Sequence, residues 1–175
     1  HLVLVQLLRY LNQKEKPYWF IDTHAGAGRY LLDSEHAVRN SEFEGGIARL
    51  WSRADLPPAV ADYVARVRGM NSDGVLRHYP GSPWLAYELM RSDDRLRLFE
   101  LHPTDHRFLA RAFAKAGPRA ALHMADGFQE IKSVLPPPPR RGLVLVDPAY
   151  EDKRDYLRVV AALKLKPIKF EGSKS

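Results

Sequence analysis

Cysteine is absent from this chain of 175 residues. Its absence excludes a disulfide scaffold, a zinc–cysteine site and a thiol nucleophile, and it agrees with a cytoplasmic setting. No apolar run approaches the ~18 residues of a membrane span, and no secretory signal is visible. Seven histidines are present without clustering. His102 and His106 have i, i+4 spacing, but no third ligand accompanies them, so no metal is expected. No arrangement of Ser, His and Asp argues for a hydrolytic triad, and no internal repeat appears. What is there is ordinary for one folded domain: 45% hydrophobic and 27% charged residues. Lysine and arginine number 27 against 21 acids, for a net charge of +6 and a pI near 9.6. That excess favours a polyanionic partner, although a basic surface with no partner gives the same sum. The chain opens at His1 and closes on Gly172-Ser173-Lys174-Ser175 without periodicity, which reads as a piece of a longer protein.

Helices and strands alternate. Leu4, Leu7, Leu8 and Leu11 predict an amphipathic helix over residues 1–13. Tyr18-Trp19-Phe20-Ile21 predicts a buried strand closing on Asp22. A mainly helical stretch follows, with Pro57-Pro58 opening a helix whose Val60, Val64 and Val67 share a face. Gly81-Ser82-Pro83 opens another, with Ser82 as its N-cap. Leu96 to Glu100 alternates as a strand, and Pro103 starts a helix carrying Phe108, Leu109, Ala112 and Phe113. A third strand over 121–125 ends at Asp126-Gly127, and Phe128, Ile131 and Leu135 share a helical face. Pro136 to Pro139 form a stiff connector. Gly142 to Val146 is apolar throughout and predicts a strand buried on both faces. Residues 154–165 read as helical. The expected fold is α/β, a doubly wound, mainly parallel sheet with a helical insertion at about 33–93 between strands one and two. The expected domain spans 1–163, with a basic tail at 164–175.

In such sheets ligands bind at the carboxyl ends of the strands, and the four strands end at Asp22, Glu100, Asp126 and Asp147. Asp22-Thr23-His24-Ala25-Gly26-Ala27-Gly28 lets the backbone turn tightly and approach a ligand closely. It is not G-x-G-x-x-G and no P-loop lysine follows, so a nucleoside without phosphates is favoured over a dinucleotide. A tight strand–helix turn with no ligand is the competing reading. Glu100 is placed to accept from ribose hydroxyls, or is a solvated acid. Asp126 is placed to accept from an adenine amine, or is a helix cap. Asp147-Pro148-Ala149-Tyr150 suits methylation of an exocyclic amine. A carboxylate and a rigid backbone carbonyl hold the two N–H groups, and an aromatic ring stacks on a flipped base. An Asp-Pro turn at a strand end is the plain alternative.

Taken together, DTHAGAGRY at 22–30, SEHA at 34–37, GIARLW at 46–51, YPGSP at 79–83, ELHP at 100–103, ADGF at 125–128 and RRGLVLVDPAY at 140–150 resemble a known family. It is the bacterial 23S ribosomal RNA adenine-N6 methyltransferase J family. The resemblance implies a Rossmann-like class I methyltransferase that uses S-adenosyl-L-methionine and no metal, with 23S ribosomal RNA as partner and no membrane. It implies cofactor contacts from His1, His24, Ser82, Glu100, Asp126 and Gly127. It implies Asp147 as catalytic residue, with Pro148 and Tyr150 on the substrate. The family has two prolines after that aspartate, where this chain has Pro148 and Ala149, and it continues beyond residue 160. It is also associated with use of external DNA. The alternatives are a DNA adenine-N6 methyltransferase and a nucleic-acid-binding module without catalysis.

Overall fold

The computed structural model describes residues 1–32 and 42–164. The SEHA motif and most of the basic tail lie outside them. Four parallel strands form the main sheet: β1 (Trp19–Asp22), β4 (Arg95–Phe99), β5 (Ala120–His123) and β6 (Gly142–Leu145), in the order β5-β4-β1-β6. Asp22 pairs with Leu98 on one side and Leu145 on the other. The strand order reverses between β1 and β6, so a crevice forms at the carboxyl ends beside β1. The fold is α/β, doubly wound and mainly parallel, as the alternation of elements predicts.

Two cores hold it. Phe20, Leu96 and Leu98 pack with Leu4 and Leu8 of α1 (Leu2–Asn12), Ala86 of α5 (Ser82–Leu89), and Leu109 of α6 (Pro103–Ala112). The second core joins Val5 and Leu85 to Ile47 of α3 (Ile47–Trp51) and to Tyr63, Val64 and Val67 of α4 (Pro58–Gly69). Thus α1 and α5 each serve both cores and weld the helices between β1 and β4 to the sheet. Leu7 and Phe108 are exposed rather than buried, because the apolar arcs of α1 and α6 are narrower than the sequence pattern implies.

Three other expectations need correction. The stretch between β1 and β4 is not wholly helical: β2 (Arg29–Leu31) pairs antiparallel with β3 (His78–Pro80). Gly81, not Ser82, is the N-cap of α5, and the Ser82 side chain turns to the sheet instead. The apolar strand β6 has no buried residue, since it pairs only with β1 and its other edge is open among the described residues. The remaining elements are the short α2 (Glu42–Gly45), a 3-10 turn at Gly117–Arg119, α7 (Gly127–Val134) and α8 (Arg154–Leu163).

Candidate active site

Asp22 ends the central strand and is wholly buried. Its Oδ2 accepts from the Ser82 hydroxyl at 2.6 Å and its Oδ1 from the His24 backbone N–H at 3.1 Å. Burial pushes its carboxyl up to about 6; those two hydrogen bonds oppose the rise, and the nearby charges of Asp147 and Glu100 add to it. Thr23 is tied to β6, where Leu145 O accepts from both its N–H and its hydroxyl. The His24 ring meets the Thr23 hydroxyl at 2.8 Å and packs edge-on against Phe128 at 4.6 Å. Burial lowers the His24 pKa, so the neutral imidazole prevails at neutral pH.

The glycine loop is held from β4. Gly26 donates its N–H to Glu100 Oε2 and His102 donates its N–H to Oε1, each at 2.7 Å. Gly26 has φ +59°, and a side chain there would run into the Tyr30 hydroxyl. Gly81 donates to Gly28 O at 2.9 Å, which brings the end of the β2–β3 ribbon onto the loop.

Asp126 caps α7 by accepting from the Phe128 N–H at 2.9 Å. Its other oxygen takes Arg158 of α8 at 2.5 Å, and that guanidinium also lies 4.6 Å over the Phe128 ring. Gly127 is required by close approach: a Cβ there would sit 2.1 Å from Thr23 O.

Asp147 lies two residues beyond β6. It is exposed, and no hydrogen bond or ion pair engages it among the described residues. Pro148 beside it is buried. Tyr150 has φ +57°, and its ring packs at a tilt against Tyr156 of α8, with the centroids 4.8 Å apart.

The structure therefore gathers Asp22, His24, Ser82, Glu100, Asp126, Gly127 and Asp147 along one edge. His1 meets β3, its Nδ1 lying 2.7 Å from the Tyr79 hydroxyl, which also bonds Tyr63 at 2.7 Å. Sequence reasoning missed Arg158, whose role depends on a helix 32 residues away folding back onto Asp126. It also missed Leu101 and Met124, two large apolar side chains 62% and 61% exposed at this edge. An apolar residue directly after an acidic strand end is the signal that marks Leu101.

No group of three or more potential metal ligands occurs among the described residues, and no described helix is long and apolar enough to cross a membrane.

Comparison with known proteins identifies the family. The chain is 49% identical over 163 residues to ribosomal RNA large subunit methyltransferase J of Escherichia coli strain K12, covering 93% of this chain and 58% of that protein. It is 46% identical over 165 residues to the protein of the same name from Haemophilus influenzae strain Rd, covering 94% and 58%. The chain thus spans a little over half the length of the curated relatives it matches. The crystal structure of protein LPL1258 from Legionella pneumophila, of family DUF519, superposes with a TM-score of 0.86 at 37% identity, covering 94% of this chain and 60% of that one. Residues 15–171 match the family described as "Ribosomal RNA large subunit methyltransferase D, RlmJ", and the chain belongs to that family.

Proposed function

We propose that this protein transfers a methyl group from S-adenosyl-L-methionine to the N6 amine of an adenine in 23S ribosomal RNA. The observation that carries the reading is Asp147: a free, exposed carboxylate on a buried proline, beside a cofactor-type edge, in a chain of this family.

The donor set fits the cofactor. Each Glu100 oxygen has one backbone N–H and a lone pair to spare for a ribose hydroxyl. Leu101 and Met124 offer apolar walls for an adenine ring, with Asp126 and Gly127 at the same end. Ser82 and the neutral His24 line the loop, and four carboxylates set a negative field suited to a sulfonium cation. When bound, the cofactor supplies an electrophilic methyl group. His1 reaches the same ligand from the side of Tyr79 in this reading.

Asp147 and the Pro148 carbonyl accept the two N–H groups of the target amine. The nitrogen lone pair is then directed at the methyl group instead of being spread into the ring. Asp147 also stabilises the positive charge that develops on nitrogen. It need not take the proton first, because the neutral amine already carries the lone pair; the nitrogen gives up its proton to solvent once it is positively charged. Tyr150 stacks on the flipped base, with Tyr156 behind it. One domain over 1–163 holds both the cofactor residues and the substrate residues, in a cytoplasmic setting.

A transfer assay with labelled cofactor on 23S ribosomal RNA fragments and on DNA tests this. Methylation of RNA adenine is expected. Methylation of DNA alone establishes the DNA enzyme instead, and RNA binding without transfer establishes a binding module.

A further inference from the structure

Apart from the carboxyl edge, the segment between β1 and β4 forms an open cleft of about 500 Å3 lined by Trp51, Ser52, Arg68, Asn71, Ser72 and Gly74. We propose that this cleft binds a backbone phosphate of the RNA strand whose adenine is methylated, which rests on the reading of an RNA substrate given above.

The charge pattern around it is selective. Arg53 pairs with Asp55, Arg66 with Asp62 and Arg77 with Asp73. Arg68 has no carboxylate partner among the described residues. It donates one hydrogen bond, to Trp51 O at 2.5 Å, out of five N–H donors. Ser52 and Ser72 are exposed and their hydroxyls have no partner among the described residues. An uncompensated guanidinium with two free hydroxyls is a donor set for an anion. It repels a cation and gives an apolar ligand nothing in return for desolvating it.

The walls are already fixed. The Trp51 indole donates to Gly74 O at 3.0 Å and stands 5.6 Å from the Arg68 guanidinium carbon. The Asn71 side chain spends its hydrogen bonds on Val67 O, His78 O and the N–H groups of Arg77 and His78, which pins the loop. A ligand therefore meets a cleft whose walls need little ordering. The chain from Gly74 to Pro80 spans at most about 22 Å, and the next residue, Gly81, is bonded to the glycine loop. That bound puts the cleft within reach of a strand held at the carboxyl edge. Charge complementarity thus singles out RNA backbone as the occupant.

Fluorescence anisotropy of a labelled single-stranded fragment of 23S ribosomal RNA, over a range of salt, tests the assignment in the full chain. Arg68→Ala is expected to weaken binding uniformly across sequences and to reduce the slope of log affinity against log salt by about 0.7, one phosphate's share. Ser72→Glu, at an exposed position, weakens binding at least as much, and Arg68→Lys keeps most of the slope. Cofactor affinity stays at the wild-type value in all three. Wild-type affinity and slope in both Arg68→Ala and Ser72→Glu overturn the proposal, as does absence of RNA binding by the wild type. Inorganic phosphate bound in an Arg68-dependent way, with an unchanged RNA slope, makes the cleft a small-anion site and overturns it too. RNA that binds through Arg68 but is never methylated removes the proposed reaction and leaves the cleft standing.

Discussion

The two halves of the carboxyl edge are built differently. On the side of β1 and β4, both oxygens of Asp22 and both oxygens of Glu100 already have protein partners. On the side of β6, Asp147 has none among the described residues, and the Tyr150 ring meets that of Tyr156 on the exposed helix α8. A carboxylate with both oxygens already engaged shapes a loop before any ligand arrives. A bare one finds its partner in what binds. The first half is a preorganised cradle, and in the proposed reaction the second is where an incoming amine would complete the hydrogen bonding.

The largest effect that separates the halves is expected from Asp147→Ala. Methyl transfer in single turnover at saturating cofactor should fall about 10²–10³-fold, the usual cost of removing one preorganised electrostatic group. Cofactor affinity, read by calorimetric titration, should remain within about twofold. Asp147→Asn should be nearly as damaging, because the amide keeps the size and loses the charge. A loss of cofactor affinity in proportion to rate puts Asp147 in the cradle and erases the distinction. A wild-type rate makes it a turn residue.

Next in size is the pH response of the cradle. Asp22 has a carboxyl raised from 3.8 to about 6, chiefly by burial. The folded state therefore holds its proton more tightly than the unfolded chain. The contribution of Asp22 is fully present below pH 3.8 and is lost as pH rises to about 6. Above that the buried charge costs on the order of 3 kcal/mol, from a shift of about two pH units. Asp22→Asn keeps the shape and leaves groups able to bond Ser82 and His24. It should remove the decline between pH 4 and 6 and raise stability at pH 7–8 by up to about 3 kcal/mol. Urea unfolding of both proteins at matched pH checks this, because the difference curve cancels the titration of His24 and other shared groups. A parallel pair of curves shows that the Asp22 charge is already compensated.

Legibility in the sequence follows the same division. The four strands and their acidic ends were readable because each apolar run stops at a polar residue, and parallel strands must stop on one edge. The partner of Asp22 was not, because Ser82 lies 60 residues away and looks like a helix cap. The β2–β3 ribbon was invisible too: three-residue strands with no tight turn between them leave no periodic signal. Apolar content misled at β6. Leu143-Val144-Leu145 reads as doubly buried, yet burial depends on what lies alongside, and only β1 does. Of the two readings offered for Asp126, the structure shows the helix cap, and it adds an ion pair with Arg158 that neither reading contained.

The smallest expected effect lies on α8, which borders the acceptor half. Its Leu157 is 73% exposed, and Tyr156, Val160 and Leu163 are exposed with it. A leucine hidden from water contributes about 1.5–3 kcal/mol, but one left in water contributes little. Leu157→Ser should therefore change the unfolding free energy by less than about 0.5 kcal/mol, as surface substitutions usually do. Arg158 is its neighbour and points at Asp126, so the ion pair that docks α8 on α7 is untouched by the change. The measurement is again urea unfolding, repeated at two protein concentrations. A loss above 1 kcal/mol means that this face is covered in solution. Dependence of that loss on concentration assigns the cover to a second copy of the chain, and independence assigns it to the chain itself. In either case the acceptor half is as enclosed as the cradle, and the contrast between the two halves reduces to the free carboxylate of Asp147.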